Sequence, residues 1–168
     1  MQGEGILQTI AELAVAFTGF TGVVAVFGRR ADEPWAPLEL FRFRVLLGAS
    51  LAALLFSLLP FVMHYAGASA RTTWALGSGL VALHLAAVAL LDARYLLRVA
   101  PGKDRAPRYP GEIVVGAVAL GVVAVQLLNV VGLLGGGSFA GYLVALVYYL
   151  FVAALNFVRL LAREGVGA

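Results

Sequence analysis

The chain has 168 residues, of which 62% are hydrophobic and only 12% charged, and its formal net charge is +3. Soluble domains carry about 25% charged residues, so this composition excludes an ordinary soluble globular protein. The absence of cysteine excludes disulfide bonds, thiol catalysis and cysteine-ligated metal sites.

Five apolar blocks account for most of the chain. They lie at residues 6–28, 42–65, 73–97, 112–134 and 139–161. Each has the roughly 20 residues that a helix needs to cross the hydrocarbon core, and only helices or closed barrels can cross it. The blocks are continuously apolar, whereas barrel strands would alternate. The sequence therefore predicts an all-α, polytopic integral membrane bundle of five transmembrane helices, forming one domain over residues 1–168.

The basic residues are distributed unequally between the two sides of such a bundle. Of the twelve, only Arg71 falls on the side that holds the N-terminus. The positive-inside rule places the more basic side in the cytoplasm. We therefore expect the N-terminus outside, the C-terminus inside, and a multi-pass protein of the bacterial-type inner (plasma) membrane. The residues on the basic side are Arg29, Arg30, Arg42, Arg44, Arg94, Arg98, Lys103, Arg105, Arg108, Arg159 and Arg163.

The connections between the blocks carry turn signals. Pro37 suits the first position of a helix that continues through Leu38–Phe41 into the second span, because proline lacks a backbone N–H. The segment Arg98–Gly111 contains three prolines, which predicts an extended tether. The short connection Gly135–Ser138 predicts that the fourth and fifth spans form an antiparallel hairpin.

Four polar side chains from three different spans fall in the outer half of the predicted bilayer. At ~1.5 Å per residue, Glu12 lies ~9 Å from the outer boundary, Asn129 ~8 Å, Gln126 ~12 Å and His84 ~16 Å. Gln126 and Asn129 share one helix face at i, i+3 spacing. An ionised group at this depth is costly, so we expect Glu12 to face the bundle interior or a cavity.

Two interpretations of this cluster follow. In the first, Glu12 titrates or coordinates a cation and His84 relays protons. In the second, Gln126 and Asn129 only hold helices together through hydrogen bonds to Glu12. The other histidine, His64, falls at the outer surface, ~14 Å from the depth of His84. This mismatch opposes a bis-histidine haem or a two-histidine metal site, and we expect no cofactor.

A second polar group lies on the cytoplasmic side. Asp92 and Asn156 each fall ~8 Å from the inner boundary, and Arg94, Arg98 and Arg159 are near them in the predicted topology. Together they predict an inner ionic latch with arginine side chains that extend toward water. Lys103, Arg105 and Arg108, in the proline-containing loop, predict contact with anionic lipid headgroups. Because the positive-inside rule explains the basic residues, no nucleic-acid partner is expected.

No P-loop, dinucleotide fingerprint, HExxH or G-x-S-x-G motif occurs. The first functional hypothesis is therefore a small homo-oligomeric channel or permease for protons, ions or a small solute. The alternative is a non-catalytic accessory or scaffold subunit of a larger membrane complex, with other membrane subunits as its partners. A membrane enzyme or lipid-binding protein is a third hypothesis.

Overall fold

A computed structural model describes residues 3–27, 37–99, 110–133 and 137–164 of the chain. Within these residues the backbone forms five α-helices and no strand. Each helix is long and apolar enough to span a membrane. The predicted all-α, polytopic membrane fold is thus confirmed. The helices are α1 (Glu4–Phe27), α2 (Pro37–Tyr65), α3 (Ala70–Val99), α4 (Pro110–Val130) and α5 (Phe139–Glu164).

Two helix ends are set by the signals that the sequence carries. α2 begins at Pro37, as predicted, so this helix extends beyond the apolar block that starts at residue 42. α4 ends at Val130, before the predicted boundary at residue 134, because Gly132 adopts a φ of 84° there. A positive φ ends a helix and favours glycine, which has no side chain to clash.

The C-terminal end of α2 closes with a pair of backbone hydrogen bonds around Gly67. The N–H of Gly67 donates to the carbonyl oxygen of His64, and that of Ala68 donates to Met63, both at 3.0 Å. Gly67 itself has a φ of 84°. This Schellman arrangement satisfies carbonyl groups that the last turn would otherwise leave free.

Serine residues cap the N-termini of α3 and α5. Ser69 precedes α3, and its Oγ accepts a hydrogen bond from the backbone N–H of Thr72 at 3.2 Å. Ser138 precedes α5, and its Oγ accepts one from Gly141 at 3.0 Å. Both serines satisfy a backbone donor that the first turn of a helix cannot pair internally.

The helices divide into two compact units. The first holds α1, α2 as far as Val62, and α5 from Leu146 onward. The second runs from Met63 to Ala145, and so holds α3, α4 and the remaining ends of α2 and α5. The division therefore falls within α2 and α5 instead of between complete helices.

Aromatic contacts hold the first unit together. Phe157 on α5 meets two rings of α1, with centroids 6.2 Å from Phe17 and 5.8 Å from Phe20. On α2, Phe56 stacks on Tyr149 of α5, with centroids 6.0 Å apart and planes at 8°. α5 thus packs against both α1 and α2, and aromatic pairs of this kind stabilise beyond the area they bury.

In the second unit, α3 packs along α4 and also meets the start of α5. The ring of Trp74 lies 5.1 Å from that of Phe139 and 5.7 Å from that of Tyr142. Tyr142 is fully buried and lies against Gly77, where an added Cβ would come within 2.9 Å of its ring. Glycine at position 77 therefore allows the α3 backbone to approach this aromatic cluster closely.

Candidate functional site

The four residues predicted to form an outer polar cluster divide between the two units. Glu12 belongs to the first unit, whereas His84, Gln126 and Asn129 belong to the second. Gln126 and Asn129 are both fully buried, as expected for residues on one inward helix face. His84 is half-buried, and Glu12 is exposed.

Asn129 is the centre of a buried hydrogen-bond network. Its Nδ2 donates to Ser78 Oγ on α3 at 2.8 Å and to the backbone carbonyl of Ser138 at 3.0 Å. Its Oδ1 accepts a hydrogen bond from the backbone N–H of Ser138 at 2.7 Å. One amide on α4 thereby links α3 to the residue that caps α5.

Gln126, one turn earlier on α4, adds a second link to α5. Its Nε2 donates to the backbone carbonyl of Gly141 at 2.7 Å. Gly141 also lets Asn129 approach α5 closely, because a Cβ added there would lie 2.8 Å from Asn129 Cγ. Among the described residues, Gln126 Oε1 has no hydrogen-bond partner.

These contacts join the two amides of α4 to groups on α3, on α5 and on the residue before α5. Every partner in their hydrogen bonds is a hydroxyl or a backbone group, and none of them titrates. Buried amides in membrane proteins hold helices together in this manner. The second interpretation of the sequence named Glu12 as the hydrogen-bond partner of Gln126 and Asn129. The hydrogen bonds described above have other partners.

His84 lies at a different level of α3 from this network. Ser78 faces Asn129 across the antiparallel α3–α4 pair. His84 follows Ser78 by six residues, a rise of ~9 Å along the helix. The hydrogen bonds centred on Asn129 therefore do not include His84, and its proposed role as a proton relay stays a prediction.

Glu12 corrects the expectation of an inward-facing carboxylate. It is exposed, and its Oε1 accepts a hydrogen bond from Gln8 Nε2, one turn earlier on the same helix, at 3.3 Å. The buried face of α1 is formed instead by Leu7, Ile10 and Ala14. Glu12 lies on the other side of α1, because neither i, i+3 nor i, i+4 spacing joins it to any of the three.

Small and polar residues form one continuous exposed stripe on α1, which we call the Glu12 face. At 100° per residue, its members lie within one narrow sector of the helix. A Cβ added to either of its two glycines would meet no atom within 4 Å. α1 is also, with α4, among the least buried of the five spans. The Glu12 face consists of Gly5, Gln8, Glu12, Ala16 and Gly19, all of them exposed.

The residues of the predicted inner latch also divide between the units. Asp92 on α3 is half-buried, and Arg94 and Arg98 on the same helix are exposed, all in the second unit. Asn156 and Arg159 lie on α5 in the first unit. The latch stays a prediction.

Asn156 itself bonds within its own helix, where Nδ2 donates to the carbonyl oxygen of Val152 at 2.9 Å. The proposed anionic-lipid residues Lys103, Arg105 and Arg108 lie outside the described residues.

Three residues of the amide network were not singled out from the sequence: Ser78, Ser138 and Gly141. Ser138 carried a detectable signal, since a serine directly before an apolar block is a typical helix N-cap. The sequence gives no signal for Ser78 or Gly141, because their contacts with α4 depend on which helices are neighbours. Gln8 was missed as well, although its i, i+4 spacing to Glu12 is a recognisable pair.

The chain matches no protein-family model, no curated protein and no solved structure. No activity is therefore transferred from a relative. The described residues define a multi-pass α-helical membrane protein with one structural amide network and one exposed polar helix face.

Proposed function

We propose that this protein is a homo-oligomeric channel or permease subunit that conducts protons or other small cations. Glu12 is the residue that interacts with the conducted ion. The observation that carries the proposal is the exposure of Glu12 within a transmembrane span. Because the Glu12 carboxylate is exposed on its own subunit, it would line an ion pathway that forms between subunits.

The energetic argument concerns the cost of leaving Glu12 against lipid. Glu12 follows the first residue of α1 by eight positions, ~12 Å along the helix. Acidic and basic side chains at the centre of a span cost about 2.5 to 3.5 kcal/mol each. The single 3.3 Å hydrogen bond from Gln8 is long and offsets little of this cost. Burial of the Glu12 face in an assembly, with access to water, would remove most of the penalty.

The composition of the Glu12 face suits contact with other copies of the chain. Gly5, Ala16 and Gly19 leave room for a second helix backbone to approach. The Gln8 amide supplies donors and the Glu12 carboxylate supplies acceptors, so two copies of the face can bond to one another. In a closed ring, symmetry would repeat the carboxylate around the axis, and rings of acidic side chains select cations.

Cross-linking in native membranes tests the assembly. Because the chain has no cysteine, each variant introduces the only thiol. We expect Ala16→Cys, one turn from Glu12, to form covalent oligomers with a short homobifunctional maleimide. The control is Leu83→Cys on α3, a residue 68% exposed that should remain monomeric. Equal cross-linking of both variants, or of neither, would count against a specific α1 interface.

Flux measurements in proteoliposomes test the ion-handling role. We expect Glu12→Gln to abolish proton or cation flux, because it removes the charge and keeps the shape. Glu12→Asp, which retains the carboxylate, is the matched control and should keep measurable flux. Undiminished flux in Glu12→Gln would reject Glu12 as the ion-binding group.

The same face supports one second candidate, an accessory subunit of a larger membrane complex. From Glu4 to Phe27, α1 contains no lysine or arginine. A basic span of another protein would therefore complement Glu12 in charge. This candidate predicts co-purification with a larger partner at a fixed ratio, together with no flux from the purified chain alone.

A further inference from the structure

Three helices of the first unit each bury at least one polar side chain, and three such residues, one on each helix, have no part in the Glu12 face. These residues are Thr21 on α1, Ser50 on α2 and Asn156 on α5. None is more than 1% exposed. Buried polar groups in a membrane protein are costly unless they are paired, so their arrangement requires an explanation.

The aromatic stack between α2 and α5 places Ser50 and Asn156 at the same level. Successive spans run in opposite directions, so α2 and α5 are antiparallel. Ser50 lies six residues before Phe56, and Asn156 lies seven residues after Tyr149, the ring on which Phe56 stacks. At ~1.5 Å per residue, both positions are ~9–11 Å from the stack, on the side of the α2 N-terminus and the α5 C-terminus.

A second ring contact brings α1 to this level. Phe20 and Phe157 have centroids 5.8 Å apart. Thr21 directly follows Phe20, and Asn156 directly precedes Phe157. Thr21, Ser50 and Asn156 therefore lie within about one helical turn of a common level, each on the buried side of its helix.

The three side chains use donor groups in their hydrogen bonds, so their oxygen atoms can still accept hydrogen bonds. Each side chain donates to the carbonyl oxygen four residues earlier in its own helix, at 2.8 Å for Ser50, 2.7 Å for Thr21 and 2.9 Å for Asn156. Among the described residues, Asn156 Oδ1 has no partner. A guest that donates hydrogen bonds would satisfy this oxygen and use the free lone pairs of the two hydroxyls.

We propose that a water molecule binds at this level and donates hydrogen bonds to Asn156 Oδ1 and Ser50 Oγ. Water is a suitable guest because the three side chains are neutral, and because buried water needs two to four polar partners. The inward faces nearby hold small side chains, Ala49, Ala53 and Ala153. The proposal stands whether or not Glu12 conducts ions, since it concerns the interior of one unit.

Water-edited solid-state NMR of the full chain in lipid bilayers tests the proposal directly. We expect magnetisation from water to reach the side-chain Nδ2 of Asn156 faster than it reaches the backbone N–H of Leu146. Leu146 is the control because it is also fully buried, but in an apolar position. Equally slow transfer to both groups would overturn the proposal.

A double-mutant cycle gives an independent test by thermal unfolding in lipid or detergent. We expect Asn156→Leu and Ser50→Ala each to lower the Tm, and the double variant to lower it by less than the sum. Ser57→Ala is the matched control, because Ser57 is a buried hydroxyl on α2 that also donates to its own helix, two turns away. Its effect should add to that of Asn156→Leu. An unchanged or raised Tm for Asn156→Leu, with additive effects for Ser50→Ala, would indicate a dry site and reject the water.

Discussion

The side-chain amide of Asn129 forms two hydrogen bonds with the backbone of Ser138, donating to its carbonyl at 3.0 Å and accepting from its N–H at 2.7 Å. Ser138 in turn caps α5 through Gly141. The first turn of α5 therefore depends on a side chain of α4. Because Asn129 is fully buried, water has little access to replace its side of this link.

Replacement of Asn129 by alanine should destabilise the protein by about 3 kcal/mol, since it removes the partner of the Ser138 N–H and of the buried Ser78 hydroxyl. Thermal unfolding followed by circular dichroism measures the loss. Asn129→Asp is the second test, because it can still accept from the Ser138 N–H but places a carboxylate at a fully buried site, so the variant should be no more stable than Asn129→Ala. An Asn129→Ala variant as stable as the parent would contradict the network.

Gly141→Ala should also destabilise the protein, because the new Cβ would lie 2.8 Å from Asn129 Cγ, which hydrogen bonds fix in place. Gly121→Ala on α4 is the matched control. Gly121 is exposed, a Cβ there meets nothing within 4 Å, and alanine raises helix propensity by about 1 kcal/mol. The two substitutions should therefore shift the Tm in opposite directions. Shifts of the same sign would show that Gly141 is not confined.

Alanine substitutions at two glycines with positive φ can distinguish the cost of backbone strain from the cost of steric clash. Gly67 has a φ of 84° in open space, whereas Gly137 has a φ of 78° and lies where a Cβ would come 2.7 Å from the carbonyl oxygen of Arg71. Gly67→Ala should cost about 1 to 2 kcal/mol from strain alone. Gly137→Ala should lower the free energy of unfolding by clearly more, because the clash adds to the strain. Equal losses of unfolding free energy would mean that the loop at Gly137 relaxes freely.

The expected orientation can be checked with single cysteines in intact cells. Ser69→Cys, in the exposed connection between α2 and α3, should react with a membrane-impermeant maleimide added outside. Lys103→Cys, on the side rich in basic residues, should react only after the cells are permeabilised. The reverse pattern would show that the N-terminus is in the cytoplasm and that the positive-inside rule fails for this chain.

The architecture was predictable because it depends on length and apolarity, which the sequence displays directly. Five blocks of sufficient length became five helices, and Pro37 marked the start of α2 as expected. These features depend on local sequence and on the thickness of a bilayer, not on which helices are neighbours.

The positions of the polar residues were harder to predict. A membrane helix is apolar on all sides, so its sequence does not indicate which side faces inward. Glu12 was expected inside on the cost of exposing a carboxylate, yet it lies on the exposed side of α1. Hydrophobic periodicity gives no guidance here, since lipid and bundle interior are both apolar. For the same reason, the packing interpretation of Asn129 named Glu12 as its partner, and nothing in the sequence pointed to Ser78 or to the Ser138 backbone.

The link between Asn129 and Ser138 also bears on how the nascent chain enters the membrane. A polar amide and an unpaired helix terminus are each costly to move from water into lipid on their own. When α4 and α5 enter together as a hairpin, these groups are already bonded to each other. We therefore expect α4 and α5 to leave the insertion machinery as one unit, and a chain truncated after α4 to be retained by chaperones or degraded.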